Sequence, residues 1–290
     1  MFIIHLARVY GFCRGVQKAC EKADELIAEH PGENVYSIGK LVHNDMVVSE
    51  YERRGLCVIN SPDSAPAGIA LIRAHGIPEE EKKAYLDRGF TLADGTCRLV
   101  LHNHELCAAS TLDVLYFGIH GHAETISTVS NVKTHFIIIE NESDLELVDP
   151  AREYNVVIQT TFSSAKEERF RQILADRGVK VNYLNKICAA SERRRAAVRE
   201  LCRQCDTVFV IGERQSANTM ELYRIAASLV PRCWLIGSSD DITDEMLDSC
   251  SHLGLCAGAS VSPRHVSSIE AFLISRGGCC VRSLQEDAQE

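Results

Sequence analysis

No stretch of this 290-residue chain runs to 18 apolar residues in succession, so no segment is long enough to cross a bilayer as a helix. The N-terminus lacks the basic start and longer apolar core of a secretion signal. No run of Lys or Arg exceeds three residues, and no low-complexity linker interrupts the pattern. These absences predict a cytoplasmic protein, exclude a membrane role and argue against a nucleic-acid surface, as does the net charge of −9. An anionic small molecule stays compatible, because a local pocket can oppose the overall charge.

Cysteine, by contrast, is abundant. Thirteen thiols without a secretion signal make a poor disulfide framework, which leaves metal binding as the leading special explanation. Most have a plainer reading. Cys57, Cys107, Cys233 and Cys256 lie in apolar runs and read as core. Cys202 and Cys205 form a CxxC on a predicted helix without a second pair, which disfavours a zinc knuckle. Cys279 and Cys280 take no assigned role.

Cys13 stands out by position. FIIHLARV before it reads as a buried strand, and the segment after it spaces Ala19, Ala23, Leu26 and Ile27 as a helix. The thiol therefore sits at a strand-to-helix turn, where a helix N-terminus favours thiolate. The same alternation of strand-like and amphipathic segments continues to about residue 280, which predicts α/β units on largely parallel sheets. Helices are expected over 44–54, 79–88, 164–176, 192–204, 218–229 and 264–275.

Three segments repeat one order of features. Cys13 is followed by VHN at His43 and AHG at His75; Cys97 by GHAE at His122 and Glu124, then QTTF at Thr160; Cys188 by QSAN at Ser216 and Asn218, then AGAS at Ser260. Lobes are expected at 1–96, 97–187 and 188–280, with a polar tail at 281–290. Ligands collect at the carboxyl ends of strands in such sheets, so lobes packed about one axis would bring three thiols together. Three cysteines lack the four-ligand local spacing of structural zinc, whereas an iron–sulfur cubane held by three would leave one iron open. The plainer alternative is that the cysteines fill equivalent places in the lobes.

His43, His75 and His122, with Ser216, Asn218 and Ser260, follow strands and precede helices, a pattern suited to a phosphate or diphosphate nest. His120, His122 and Glu124 could instead suggest zinc, although the intervening Gly121 and a helix start near Ala123 disrupt the alternation. Glu124 reads as a proton donor or as a carboxylate of a helix's first turn. Thr160 reads as a substrate donor or a helix cap. HNH at 102–104 reads as helix surface.

Taken in order, GFCRGV, KLVHN, RAHGI, DGTC, GHAE, QTTF, KIC, QSAN and AGAS resemble the 4-hydroxy-3-methylbut-2-enyl diphosphate reductase family, over nearly the whole chain to about residue 275. The resemblance implies a trefoil of three pseudo-equivalent α/β lobes around a [4Fe–4S] cluster. It also implies the last step of non-mevalonate isoprenoid synthesis, which yields isopentenyl and dimethylallyl diphosphate. Cys13, Cys97 and Cys188 would hold the cluster. His43, His75, His122, Ser216, Asn218 and Ser260 would hold the diphosphate, and Glu124 with Thr160 and His122 would move protons. A ferredoxin- or flavodoxin-like partner would supply electrons. Departures are Arg98 where proline is expected, SERRR at 191–195, and Ala217 in place of a second serine. A hydrogen bond to a charged group is worth about 1.5–3 kcal/mol, so Ala217 weakens anion binding without abolishing it. These changes surround the substrate. The competing readings are a paralogous reductase of another anion, or a non-enzymatic redox sensor, which would need neither Glu124 nor Thr160.

Overall fold

The computed structural model describes residues 1–281; the polar tail expected at 281–290 lies, beyond Val281, outside the described residues. The chain opens with β1 (Phe2–Leu6) and α1 (Arg14–Glu29). Next come β2 (Val35–Ile38), α2 (Asp45–Arg53), β3 (Leu56–Ile59), β4 (Ile69–Ile72), α3 (Glu79–Asp87) and β5 (Thr91–Asp94), the strands forming a parallel sheet ordered β3-β2-β4-β5. After α4 (Arg98–Ala109) the pattern recurs as β6 (Asp113–Phe117), α5 (Ala123–Val129), β7 (Phe136–Ile139), β8 (Glu153–Ile158), α6 (Ser164–Asp176) and β9 (Lys180–Tyr183), ordered β7-β6-β8-β9. After α7 (Ala189–Cys202) follow β10 (Thr207–Ile211), α8 (Ala217–Leu229), β11 (Arg232–Ile236), α9 (Asp244–Leu247), β12 (His252–Ala257), α10 (Pro263–Ser275) and β13 (Gly278–Val281). This third sheet is ordered β11-β10-β12-β1-β13.

The three sheets share one topology: the second strand of each set lies outermost, the first beside it, then the third and fourth. In the third sheet the fourth place is taken by β1, which runs parallel to β12 with Ile3 opposite His252 and Leu6 opposite Leu255. Phe2–Leu6, expected with the first lobe, therefore belongs to the C-terminal sheet. The physical reason is that an alternating pattern identifies a strand and its faces but not its partner, and this partner lies some 250 residues away.

By compactness the chain divides into two units, one of Met1–Arg14, His43–Val47 and the segment from Ala189 onward, the other of Gly15–Val42 and Val48–Cys188. The first unit holds the third sheet, with one core of Ile4, Leu6, Phe209, Leu253 and Leu255 and another of Ala7, Val198, Val208, Val210 and Cys256. The second holds the other two sheets, with cores built on Tyr36, Ile72 and Tyr85 and on Phe117, Val156 and Phe170. Central strands such as β4, β2 and β10 are buried along their whole length, as parallel strands covered on both faces must be. The expected helices are present within a few residues. Local capping fixes their starts: Ser216 Oγ accepts from the Thr219 N–H, and Ser262 Oγ from that of His265, with Pro263 opening α10.

Two further expectations fail. Cys57 is exposed, as the second residue of β3, which lies at the edge of its sheet. The HNH stretch is not surface: Asn103 and His104 are buried in α4, where Asn103 Nδ2 donates to the Ile158 carbonyl and His104 Nε2 lies 3.2 Å from Ser127 Oγ. Only His102 of the three is exposed. No helix among the described residues is long and apolar enough to cross a membrane.

Candidate active site

The repeat seen in the motifs becomes a register when counted from strand ends. Five residues beyond the ends of β2, β6 and β10 stand His43, His122 and Ser216. Two residues beyond the ends of β4, β8 and β12 stand Ala74, Thr160 and Ala259, whose carbonyls accept from the backbone N–H groups of Cys97 (2.9 Å), Cys188 (3.0 Å) and Cys13 (3.3 Å). Each cysteine is thus tied to the loop after the third strand of its sheet and directly precedes α4, α7 or α1. Three residues beyond those strand ends stand His75, Thr161 and Ser260. Thr160, which the motif spacing matches with His75 and Ser260, is one position earlier, and Thr161 occupies the equivalent place.

In the unit holding the first two sheets, the Glu124 carboxylate is almost wholly buried, at 1 % exposure. The Thr160 N–H donates to its Oε1 and the Thr160 hydroxyl reaches its Oε2, both at 2.7 Å. Burial pushes this carboxyl up to about 7, against the pull of the two Thr160 hydrogen bonds. His122 caps α5, its Nδ1 accepting from the Glu124 N–H at 3.1 Å, and its ring lies edge-on to that of His75 with centroids 5.4 Å apart. The Ser127 hydroxyl donates to the His75 carbonyl at 2.6 Å, fixing the turn that carries that imidazole. The structure therefore brings His75, His122, Glu124 and Thr160 together around α5.

The zinc alternative fails on geometry. His120 is exposed, with Nε2 3.9 Å from the Asp144 carboxylate, while both oxygens of Glu124 are engaged by Thr160. Gly121, at φ +73°, breaks the strand-like alternation that would have aligned the three side chains.

In the other unit, Ser216, Asn218 and Ser260 are all buried. Asn218 Oδ1 accepts from the Ala259 N–H at 2.9 Å, which orients its amide and leaves Nδ2 buried with no hydrogen-bond partner among the described residues; Ser260 Oγ is buried in the same state. Such orphaned groups cost about 1–3 kcal/mol each unless a ligand satisfies them, and a diphosphate oxygen accepts from both chemistries. His43 is half-buried and precedes Asn44, whose Oδ1 accepts from the Val47 N–H at the start of α2. The SERRR departure sits beneath Cys13: the buried Arg194 donates through Nη2 to the Gly11 carbonyl at 2.8 Å and through Nη1 to that of Ala190 at 3.1 Å. Arg194 thus supports the cysteine turn, a role the sequence pattern did not disclose.

Burial pushes Cys107, Cys205 and Cys233 up to about 12 and Cys202 up to about 11, which makes them inert neutral groups at physiological pH. Cys13, Cys97 and Cys188 are partly exposed at their helix starts, and none of the thirteen cysteines is in a disulfide. Sulfur ligands at three matching helix starts are a soft donor set, suited to an iron–sulfur cluster and unsuited to magnesium or calcium.

The sequence profile described as "LytB protein" matches residues 4–274. The chain belongs to the LytB protein family. Among curated LytB relatives, the 4-hydroxy-3-methylbut-2-enyl diphosphate reductase of Dictyoglomus turgidum is 30% identical over 275 residues, spanning 94% of this chain and 96% of its own. That of Mycobacterium leprae is 31% identical over 289 residues, spanning 96% of this chain and 86% of its own. The solved structure of E-1-hydroxy-2-methyl-but-2-enyl-4-diphosphate reductase from Plasmodium falciparum matches with a TM-score of 0.90 at 24% identity, over 100% of this chain and 94% of that one, and so shares its fold. A solved (E)-4-hydroxy-3-methyl-but-2-enyl diphosphate reductase matches at a TM-score of 0.69 and 27% identity, over 95% of this chain and 100% of that one.

Proposed function

We propose that this LytB chain reduces 4-hydroxy-3-methylbut-2-enyl diphosphate to isopentenyl and dimethylallyl diphosphate, the terminal step of non-mevalonate isoprenoid synthesis. The observation that carries the reading is the Glu124–Thr160 pair, a buried carboxyl poised near neutrality and held in one orientation by two hydrogen bonds. A redox sensor or electron carrier has no use for such an acid. The reaction consumes two electrons and two protons: the allylic C–O bond breaks, the oxygen leaves as water, and a new C–H bond forms at one end of the allyl fragment.

Cys13, Cys97 and Cys188 are the residues that would hold a [4Fe–4S] cluster, as one thiolate from each lobe leaves one iron without a protein ligand. When bound, the cluster supplies single electrons and a Lewis-acidic iron, with a ferredoxin- or flavodoxin-like protein as the electron donor. The chain's own residues do the rest. His43, His75, His122, Ser216, Asn218 and Ser260 bind the diphosphate through N–H and O–H donors, spreading its charge over many directional contacts. Glu124 gives its proton to the departing oxygen, and its value near 7 lets it do so at neutral pH and then be reprotonated. The Thr160 hydroxyl, hydrogen-bonded to Oε2, keeps that oxygen aimed in one direction.

The test is anaerobic turnover of 4-hydroxy-3-methylbut-2-enyl diphosphate by cluster-loaded, chemically reduced protein, with Glu124→Gln alongside. Formation of the two five-carbon diphosphates, falling sharply in the variant, supports the assignment. No turnover from protein whose iron and sulfide content demonstrates an intact cluster overturns it and points to another reducible anion.

A further inference from the structure

Gln159, the residue that ends the β8 run before Thr160, is completely buried, and all the hydrogen-bonding positions of its amide are occupied. Its Oε1 accepts from the Ile119 N–H at 2.9 Å and from Thr125 Oγ1 at 3.4 Å. Its Nε2 donates to Thr161 Oγ1 at 3.1 Å and lies 3.2 Å from His122 Nδ1. The orientation of this amide is not arbitrary, because a backbone N–H can only donate: Ile119 fixes the oxygen on its own side and so turns the NH2 toward His122 and Thr161.

An amide NH2 can likewise only donate. His122 Nδ1 therefore faces two donors, Gln159 Nε2 and the Glu124 N–H at 3.1 Å. A proton on Nδ1 would oppose both donors. The imidazole's proton must then sit on Nε2. We infer that Gln159 is a positioning residue that locks His122 as the neutral Nε2–H tautomer, so that His122 serves the bound anion as an aimed N–H donor and not as a carrier of protons. Also against His122 within its unit is the His75 ring, edge-on, while the carboxylate oxygens of Glu124, on the helix that His122 caps, are engaged by Thr160. This leaves Glu124 as the proton donor, without the relay through His122 that the sequence suggested. The inference deepens the reading above, and rests on it only in taking the anion to be a diphosphate.

The test is long-range 1H–15N correlation spectroscopy of the histidine rings in full-length, oxidised, cluster-loaded protein, with His122 assigned by its absence in His122→Asn. The wild type should show the widely split 15N pair of a neutral ring with the proton on Nε2. In Gln159→Glu, a carboxylate beside Nδ1 should draw a proton there, and the pair should collapse toward the near-coincident shifts of imidazolium. KM for the diphosphate should rise about tenfold or more, the worth of a misdirected hydrogen bond to a charged ligand, with a smaller change in kcat. A wild-type His122 protonated on Nδ1 overturns the inference even if Gln159→Glu does not fold. An unchanged His122 tautomer in folded Gln159→Glu also overturns it, because the Glu124 N–H alone would then hold the ring. Since the tautomer is read without turnover, the lock stands or falls apart from whether the chain reduces this substrate.

Discussion

Glu124 and Thr160 are joined twice, backbone N–H to Oε1 and hydroxyl to Oε2, each at 2.7 Å, across 36 residues of sequence. Burial raises the carboxyl to about 7 and the two hydrogen bonds pull it down, so the pair sets the proton affinity of the site between them. Thr160→Val removes only the hydroxyl contact. The carboxyl should titrate higher still, moving the alkaline fall of kcat to higher pH. The hydroxyl's loss should lower kcat by roughly 10- to 100-fold, the equivalent of about 1.5–3 kcal/mol. A pH–rate profile of the variant checks both; an alkaline limb that moves downward would contradict the proposed role of the hydroxyl.

The same carboxyl makes stability pH-dependent. Its folded-state value, about 7, exceeds the 4.5 of an ordinary glutamate, so its contribution is fully present below pH 4.5 and is lost as pH rises through 7. The full span is roughly 3 kcal/mol, taking 1.36 kcal/mol per unit. Glu124→Gln carries no ionisable group here. Relative to wild type, the variant should therefore gain stability between pH 4.5 and 7, and denaturant titrations at the two ends of that window measure the difference. A gap that stays constant would mean the carboxyl remains ionised throughout.

The thiols make a contrast that metal analysis can read. Cys13→Ser, Cys97→Ser and Cys188→Ser should each lose most of the iron and sulfide, because each removes one of three thiolates. Cys205→Ser should keep both. Its thiol is pushed up to about 12 by burial and lies against Gly254, packed on the core of its own unit, so it is the wrong species in the wrong place. Equal loss of iron from Cys205→Ser would reassign the ligands.

Much of this was legible in the sequence, and the exceptions have physical causes. Helix and strand positions followed from period and caps, and the threefold order of motifs located every lobe's polar loop. The N-terminal strand was misplaced because parallel pairing with β12 joins ends of the chain that no local pattern relates. Thr160 was matched to His75 and Ser260 because motif spacing tolerates a shift of one. The backbone bonds from Cys13, Cys97 and Cys188 do not, and they place Thr161 in that register. Gln159 was visible only as the first letter of QTTF. A buried glutamine announces itself through its four partners, and those come from the loop after β6, from α5 and from its own loop. His104 was read as surface since a polar triplet on a helix usually is, whereas Ser127 gives it a partner inside.

Ala217 supplies the sharpest test of how this chain holds its anion. It is the first residue of α8, next to the capping Ser216, whose Oγ accepts from the Thr219 N–H and so keeps its own proton for another acceptor. Nearby, Asn218 Nδ2 and Ser260 Oγ are buried donors with no partner among the described residues. Asn218→Ala and Ser260→Ala should each raise KM for the diphosphate by about tenfold or more, matching about 1.5–3 kcal/mol per hydrogen bond to a charged group. Ala217→Ser should act in reverse, adding a hydroxyl at a helix start where serine is well tolerated and lowering KM with kcat little changed. If KM instead stays fixed in Ala217→Ser while the two alanine variants behave as stated, the donors at Ser216, Asn218 and Ser260 already saturate the oxygens on that side, and the alanine is a substitution the site has compensated.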